Sequence, residues 1–175
     1  MNTVYRRYDK LLQNVQTQEE YSAITNQLLE EIIKAFPELT PKGRVEVRGH
    51  IEEEWQAIFQ DIHARKGRPI PGETVMAMLL QTFEGTTAIV FNIDRLLRFC
   101  EYYRIPSTYF FIDSIIHELI HHIESPGGPG DRPILAEEHR VIRKAFELTD
   151  KFLDTHTDTT LIQMLVEGQP KDWFE

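Results

Sequence analysis

The chain has 175 residues, 41% of them apolar and 27% charged, with nine Gly and nine Pro. That is the composition of one ordinary globular domain, and it excludes disordered, collagen-like and low-complexity chains. Nineteen Lys and Arg stand against 28 Asp and Glu, a net charge of −9, so nucleic acid is a poor partner.

In the first fifteen residues, MNTVYRRYDKLLQNV, two arginines have no apolar run behind them, so no secretory signal is expected. Nor does any run of about 18 apolar residues suggest a membrane span. Tyr5, Tyr8, Leu11, Leu12 and Val15 recur at intervals of three and four, as do Tyr21, Ile24, Leu28 and Ile32. These spacings predict two amphipathic helices, the second stopped by Pro37. Thr40-Pro41 reads as a cap followed by a proline that opens a third helix. Val47, Ile51, Trp55, Ile58 and Ile62 carry that helix to a break at Gly67–Pro71. Arg44–Arg48 (RVEVR) also alternates like a short strand, with Gly49 as a joint, so the helix is firm only from about His50. Residues 1–66 are thus expected to be a helical N-terminal part, and 74–153 the core of the same single domain.

Thr74–Phe83 (TVMAMLLQTF) and Thr86–Asp94 (TTAIVFNID) flank a turn at Glu84-Gly85. The second segment is β-branched and reads as a strand, and a hairpin is the preferred arrangement of the pair. Leu96, Leu97, Cys100 and Tyr103 then mark a helix ended by Ile105-Pro106. Cys100 is the single cysteine, which excludes an internal disulfide or a Cys-based zinc finger and suits a reducing compartment. Ser107 caps a helix to about Glu124, SPGGPGD (Ser125–Asp131) breaks it, and Pro133 opens the next. That helix places Ile134, Val141, Ile142, Ala145, Leu148 and Phe152 on one face. A short amphipathic stretch around Leu161–Val166 precedes a polar tail holding Trp173 and Phe174.

The chemistry is concentrated in Ile115–Glu124 (IIHELIHHIE), which holds the H-E-x-x-H pattern as His117-Glu118-Leu119-Ile120-His121. On a helix, residues four apart share a face, so both imidazoles can reach one zinc ion. Glu118 points about 100° to the side, where it can take a proton from an attacking water. Ile112, Ile115, Ile116, Leu119 and Ile123 form an apolar stripe about 150° from the histidines. The helix is therefore expected to pack on its isoleucines and offer both histidines to another surface.

Zinc needs a third protein ligand. Glu137, Glu138 and His139 on the next helix are the candidates. With Ala145 at the centre of that helix's apolar stripe, Glu138 falls about 20° from the centre, Glu137 about 80° and His139 about 120°. Glu138 is preferred, because a carboxylate on a buried face needs a partner or a metal.

These residues resemble the zincin metallopeptidases, and among them the small gluzincin-type enzymes with two His and one Glu. The resemblance covers roughly 86–152. It implies zinc (Zn2+) held by His117, His121 and Glu138, Glu118 as general base, and Ala88–Ile93 as a cleft-edge strand that binds an extended peptide. The pattern departs from two branches. The metzincin extension wants Gly and His where Glu124 and Gly127 stand. The thermolysin-like enzymes carry an aspartate four residues after the glutamate ligand, where this chain has Ile142.

Asp113 lies one turn before His117. It reads first as a charge near the helix start and second as a hydrogen-bond partner of an imidazole. Tyr109, His139, Arg140 and His156 are candidate oxyanion stabilisers. His122 reads as a bystander, Arg65–Arg68 as a solvated turn, and Trp173 with Phe174 as packing or a plug for the cleft. The expected fold is α+β and zincin-like, mostly helical, with a small sheet on the active-site helix. The expected function is zinc-dependent peptide-bond hydrolysis in the cytoplasm, acting on peptide or protein, with no nucleic acid and no membrane. The competing readings are a non-catalytic zinc domain and a metal-free helical interaction module.

Overall fold

The computed structural model describes residues 2–82, 84–124 and 135–169. Helix α1 (Thr3–Gln13) is capped by Asn2, whose side chain accepts from the Tyr5 amide. Helix α2 (Gln18–Ala35) is capped by Thr17, which accepts from the Glu20 amide. Each cap satisfies an amide that a helix start leaves unpaired. Tyr8, Leu12, Leu28 and Ile32 are buried, as their spacing predicts. Pro37 cannot continue α2, and a short 3-10 turn (Pro37–Leu39) follows.

No helix starts at Thr40-Pro41. Strand β1 spans Val45–His50 and α3 runs over Glu52–Lys66. The alternation in RVEVR therefore prevails over the longer helical spacing, and the N-terminal part is not all helical. Gly49 is no joint either. It sits inside β1 opposite Phe91, where a Cβ would lie 3.0 Å from Ile93 Cδ1 and 3.1 Å from the Phe91 ring. The turn after α3 is built on Gly67, whose left-handed φ of 64° suits a residue without a Cβ.

Strands β2 (Ala77–Gln81) and β3 (Thr87–Asn92) form the expected antiparallel hairpin, Leu79 opposite Ile89. β1 joins β3 in parallel, Val47 also opposite Ile89, and the order is β1-β3-β2. The expectation that Ala88–Ile93 is an edge strand is thus overturned. β3 is central, every one of its residues is buried, and Ile93 already belongs to the next helix. The run TAIVFN suits a strand covered on both faces, which is a core signal and not an edge signal. The two true edges differ. On β1, the Asn26 amide donates to Val47 O and accepts from Val47 N–H, both at 2.9 Å, and Ser22 Oγ accepts from Gly49 N–H at 3.2 Å. Helix α2 therefore closes that edge, and β2 is left as the other.

Alternation sends Ala88 and Val90 to one face of the sheet, under Trp55 and Phe59 of α3. Ile89 and Phe91 go to the other, where Phe91 meets Phe111 edge-on at 5.1 Å. Phe111 belongs to α5 (Ser107–Glu124), which follows α4 (Ile93–Tyr103) and precedes α6 (Leu135–Leu153) and α7 (Thr159–Glu167). One apolar cluster draws on every helix but α3 and on all three strands. Cys100 lies in it at 4% exposure, and burial pushes its thiol up to about 12, so it is core. The Gly/Pro turn Ser125–Asp131, Pro133-Ile134, and Trp173 with Phe174 lie outside the described residues. Among the described residues, no helix is long and apolar enough to cross a membrane.

A buried arginine ties α4 to α3 and to the segment that precedes β2. Arg95 of α4 has a side chain 3% exposed and donates from Nη2 and Nε to the two Glu52 oxygens at 2.7 and 2.9 Å. Its Nη1 donates to the carbonyls of Gly72 and Val75 at 2.7 and 3.1 Å. The Arg95 hydrogen bonds outweigh burial and hold Glu52 at about 2, below its ordinary 4.5. A carboxylate lowered on folding contributes stability above its unfolded value and loses it as pH falls through the folded one. Glu52→Gln should therefore lower the urea midpoint at pH 7. The gap to the parent should close between pH 4.5 and about 2. Equal midpoints at pH 7 would show that the pair contributes nothing.

Candidate metal centre

Helix α5 is not two-faced in the way its isoleucine stripe predicts. Residues 108–116 and 118–120 are all buried, so it runs through the middle of the domain. Its histidine face is covered by α6. His117 and His121 keep side-chain exposures of 16% and 14%.

The fragments meet as the helical phases predict. His117 Nε2 lies 2.9 Å from Glu138 Oε1, and His121 Nε2 lies 2.7 Å from Glu138 Oε2. The two Nε2 atoms are 3.1 Å apart. Among the described residues, His117, His121 and Glu138 form the one cluster of three or more such side chains able to share a metal ion. Glu138 is 8% exposed on the buried face of α6, whereas Glu137 is exposed and His139 half-buried, and neither joins the cluster.

The donor set suits zinc. Two imidazole nitrogens and a carboxylate oxygen are its ordinary ligands, and bond lengths of about 2.0–2.1 Å put tetrahedral donors roughly 3.3 Å apart. The observed separations are a few tenths of an ångström shorter, within the reach of small side-chain rotations. Without a cation, two N–H groups aimed at Glu138 would lie side by side, whereas a cation gives both lone pairs and the carboxylate a common partner. Electrostatics couples the three groups tightly. Burial pulls the His117 imidazolium down, but Glu138 outweighs it and lifts the group to about 9. Burial likewise raises Glu138, and the two histidines outweigh it, holding it well below the usual carboxylate range. Glu138 is therefore ionised as a ligand must be, whereas the proton that Glu138 favours on His117 has to leave before that imidazole can ligate.

Glu118 is 8% exposed and lines the same cavity as the cluster. Burial raises its carboxyl, with the two histidines opposing. That brings it toward the working range of a general base.

Asp113 is not a charge at the helix start. It is the seventh residue of α5, 4% exposed, and it accepts from Thr149 Oγ1 of α6 at 3.2 Å. Burial lifts its carboxyl to about 7 against the pull of His117. Thr149 also donates to Ala145 O at 2.7 Å. Its polar atom in the apolar stripe of α6 was the available sequence signal for this pairing.

The candidate oxyanion groups are mostly elsewhere. Tyr109 donates to Asp150 at 3.0 Å and accepts from Thr157 at 2.8 Å, so its hydroxyl is occupied. Of the four candidates, only Arg140 lines the cavity, and it is paired with Glu124. Lys144 joins the same glutamate at 2.8 Å, which ties α6 to the last residue of α5 beside the cluster. His122 takes no part in the cluster.

The cavity measures about 800 Å3. It is bounded by α5 and α6, by the edge strand β2 through Ala77, Met78 and Leu79, and by aromatic rings of α4. Sequence reasoning missed both β2 and those rings as parts of the site. Compared with known proteins, the chain matches no family model, no curated protein and no solved structure.

Proposed function

We propose that this chain is a zinc-dependent peptidase of the zincin class, acting on peptide or protein in the cytoplasm. The observation that carries the reading is the convergence of His117 Nε2, His121 Nε2 and Glu138 Oε within 4.8 Å, with Glu118 on the wall of the same cavity. His117, His121 and Glu138 would hold the metal. Zinc bound there supplies a Lewis acid for a scissile carbonyl and acidifies water.

The chain's own residues do the rest. Glu118 accepts the proton of the attacking water and returns it to the leaving amine. β2 is the sheet edge that borders the cavity, and it aligns an extended substrate by strand addition. The packed interior beneath α5 fixes both imidazoles, and the Asp113–Thr149 contact holds α5 against α6 one turn away. Cys100, a lone buried thiol, suits a reducing compartment.

Hydrolysis of an unfolded protein such as reduced casein tests this reading. Cleavage should be lost after treatment with a chelator and return when zinc is restored. Zinc binding without any cleavage would support the non-catalytic zinc domain instead. Absence of both metal and cleavage would leave the helical interaction module.

A further inference from the structure

Four aromatic side chains of the cavity wall form a connected ladder. Phe99, Tyr102 and Tyr103 come from α4 and Phe110 from α5, and all four line the cavity that holds the metal cluster. Phe99 and Phe110 stack at 4.8 Å with an interplanar angle of 24°. Phe99 and Tyr103 lie 4.6 Å apart, and Tyr103 and Tyr102 4.9 Å apart. Exposure rises along the ladder from 7% at Phe110 to 80% at Tyr102. The rings therefore run from the floor of the cavity to its rim, and an apolar platform of this kind gains by burying another ring. Met76, which leads into β2, borders the same cavity with an adaptable thioether side chain.

The position of the ladder relative to the chemistry follows from α5. Phe110 and His117 are seven residues apart, two turns of one helix face, or about 10 Å along its axis. An extended peptide advances about 3.3 Å per residue. We propose that Phe99, Tyr102, Tyr103 and Phe110 form a specificity subsite for a large apolar, preferentially aromatic, side chain about three residues from the cleaved bond. The inference rests on the peptidase reading and deepens it by naming a substrate feature. This subsite is separate from whatever contacts the residues that flank the cleaved bond.

The probe is a labelled, capped Ala/Gly heptapeptide and its variants with one Phe placed at each position in turn. Binding is read by fluorescence anisotropy on full-length Glu118→Gln protein loaded with zinc, and cleavage is read on the unsubstituted protein. Phe at the favoured position should tighten binding roughly tenfold over the parent peptide, in keeping with partial burial of a phenyl ring. Where cleavage occurs, that position should lie two to four residues from the cut. Tyr102→Ala, at a site already exposed, and Phe99→Leu, which keeps an apolar volume, should each bring the advantage below about threefold. Circular dichroism checks that both variants fold. No Phe advantage at any position, an advantage that both variants retain, or an optimum beside the cut would overturn the subsite. A Phe advantage abolished by both variants, with no cleavage of any peptide or of casein, would keep the ladder as an aromatic-binding surface and sink the peptidase reading instead.

Discussion

Glu118→Gln is expected to keep the fold and one zinc per chain while losing hydrolysis by at least about a hundredfold, the lower end of general acid–base contributions. The amide has nearly the volume of the carboxylate, so the 8%-exposed site next to His117 stays filled. It cannot accept the proton of an attacking water. Both histidines and Glu138 are untouched, and their contacts with one another do not involve Glu118. Casein hydrolysis and metal content, measured on the same preparation, check the two halves together. A variant that retains more than about a tenth of the activity would remove Glu118 from the role of base.

Glu138→Ala should release zinc and destabilise the domain, whereas Glu137→Ala should do little to either. Glu138 supplies both oxygens that face the histidines, at 2.9 and 2.7 Å, from a buried position on α6. Its removal leaves two imidazoles with no counter-charge and no third ligand. Zinc affinity should fall by more than the roughly 10–100-fold that loss of an outer-shell partner causes. Breaking a buried ionic contact adds a loss of about 3–5 kcal/mol in unfolding free energy. Glu137 is exposed and outside the cluster. Zinc titration and urea unfolding of the two variants side by side decide the matter. Full zinc retention in Glu138→Ala would move the third ligand to another residue.

The cluster was legible because helical phase is a local property. His117 and His121 are four apart on one helix, and Glu138 lies near the centre of the apolar stripe of the next. Short connections leave antiparallel neighbours few ways to meet. The sheet was less legible. The RVEVR segment carried two periodicities, and only pairing with β3 decides between them, a contact more than forty residues away in sequence. The edge strand was misassigned for a related reason. β3 has the stronger strand character because it is covered on both faces, so the more strand-like segment is the central one. Asp113 is less legible because its partner, Thr149, lies on the other helix of the pair, 36 residues away in sequence. The aromatic ladder joins α4 to α5 around the Ile105-Pro106 corner, and no single helical phase contains it.

The most direct measurement is the metal content of the purified full-length chain by elemental analysis, alongside Glu138→Ala prepared in the same way. The account predicts close to one zinc per chain in the parent and a marked loss in the variant. A parent chain that holds no zinc, even after incubation with excess zinc and removal of the unbound ion, would contradict it.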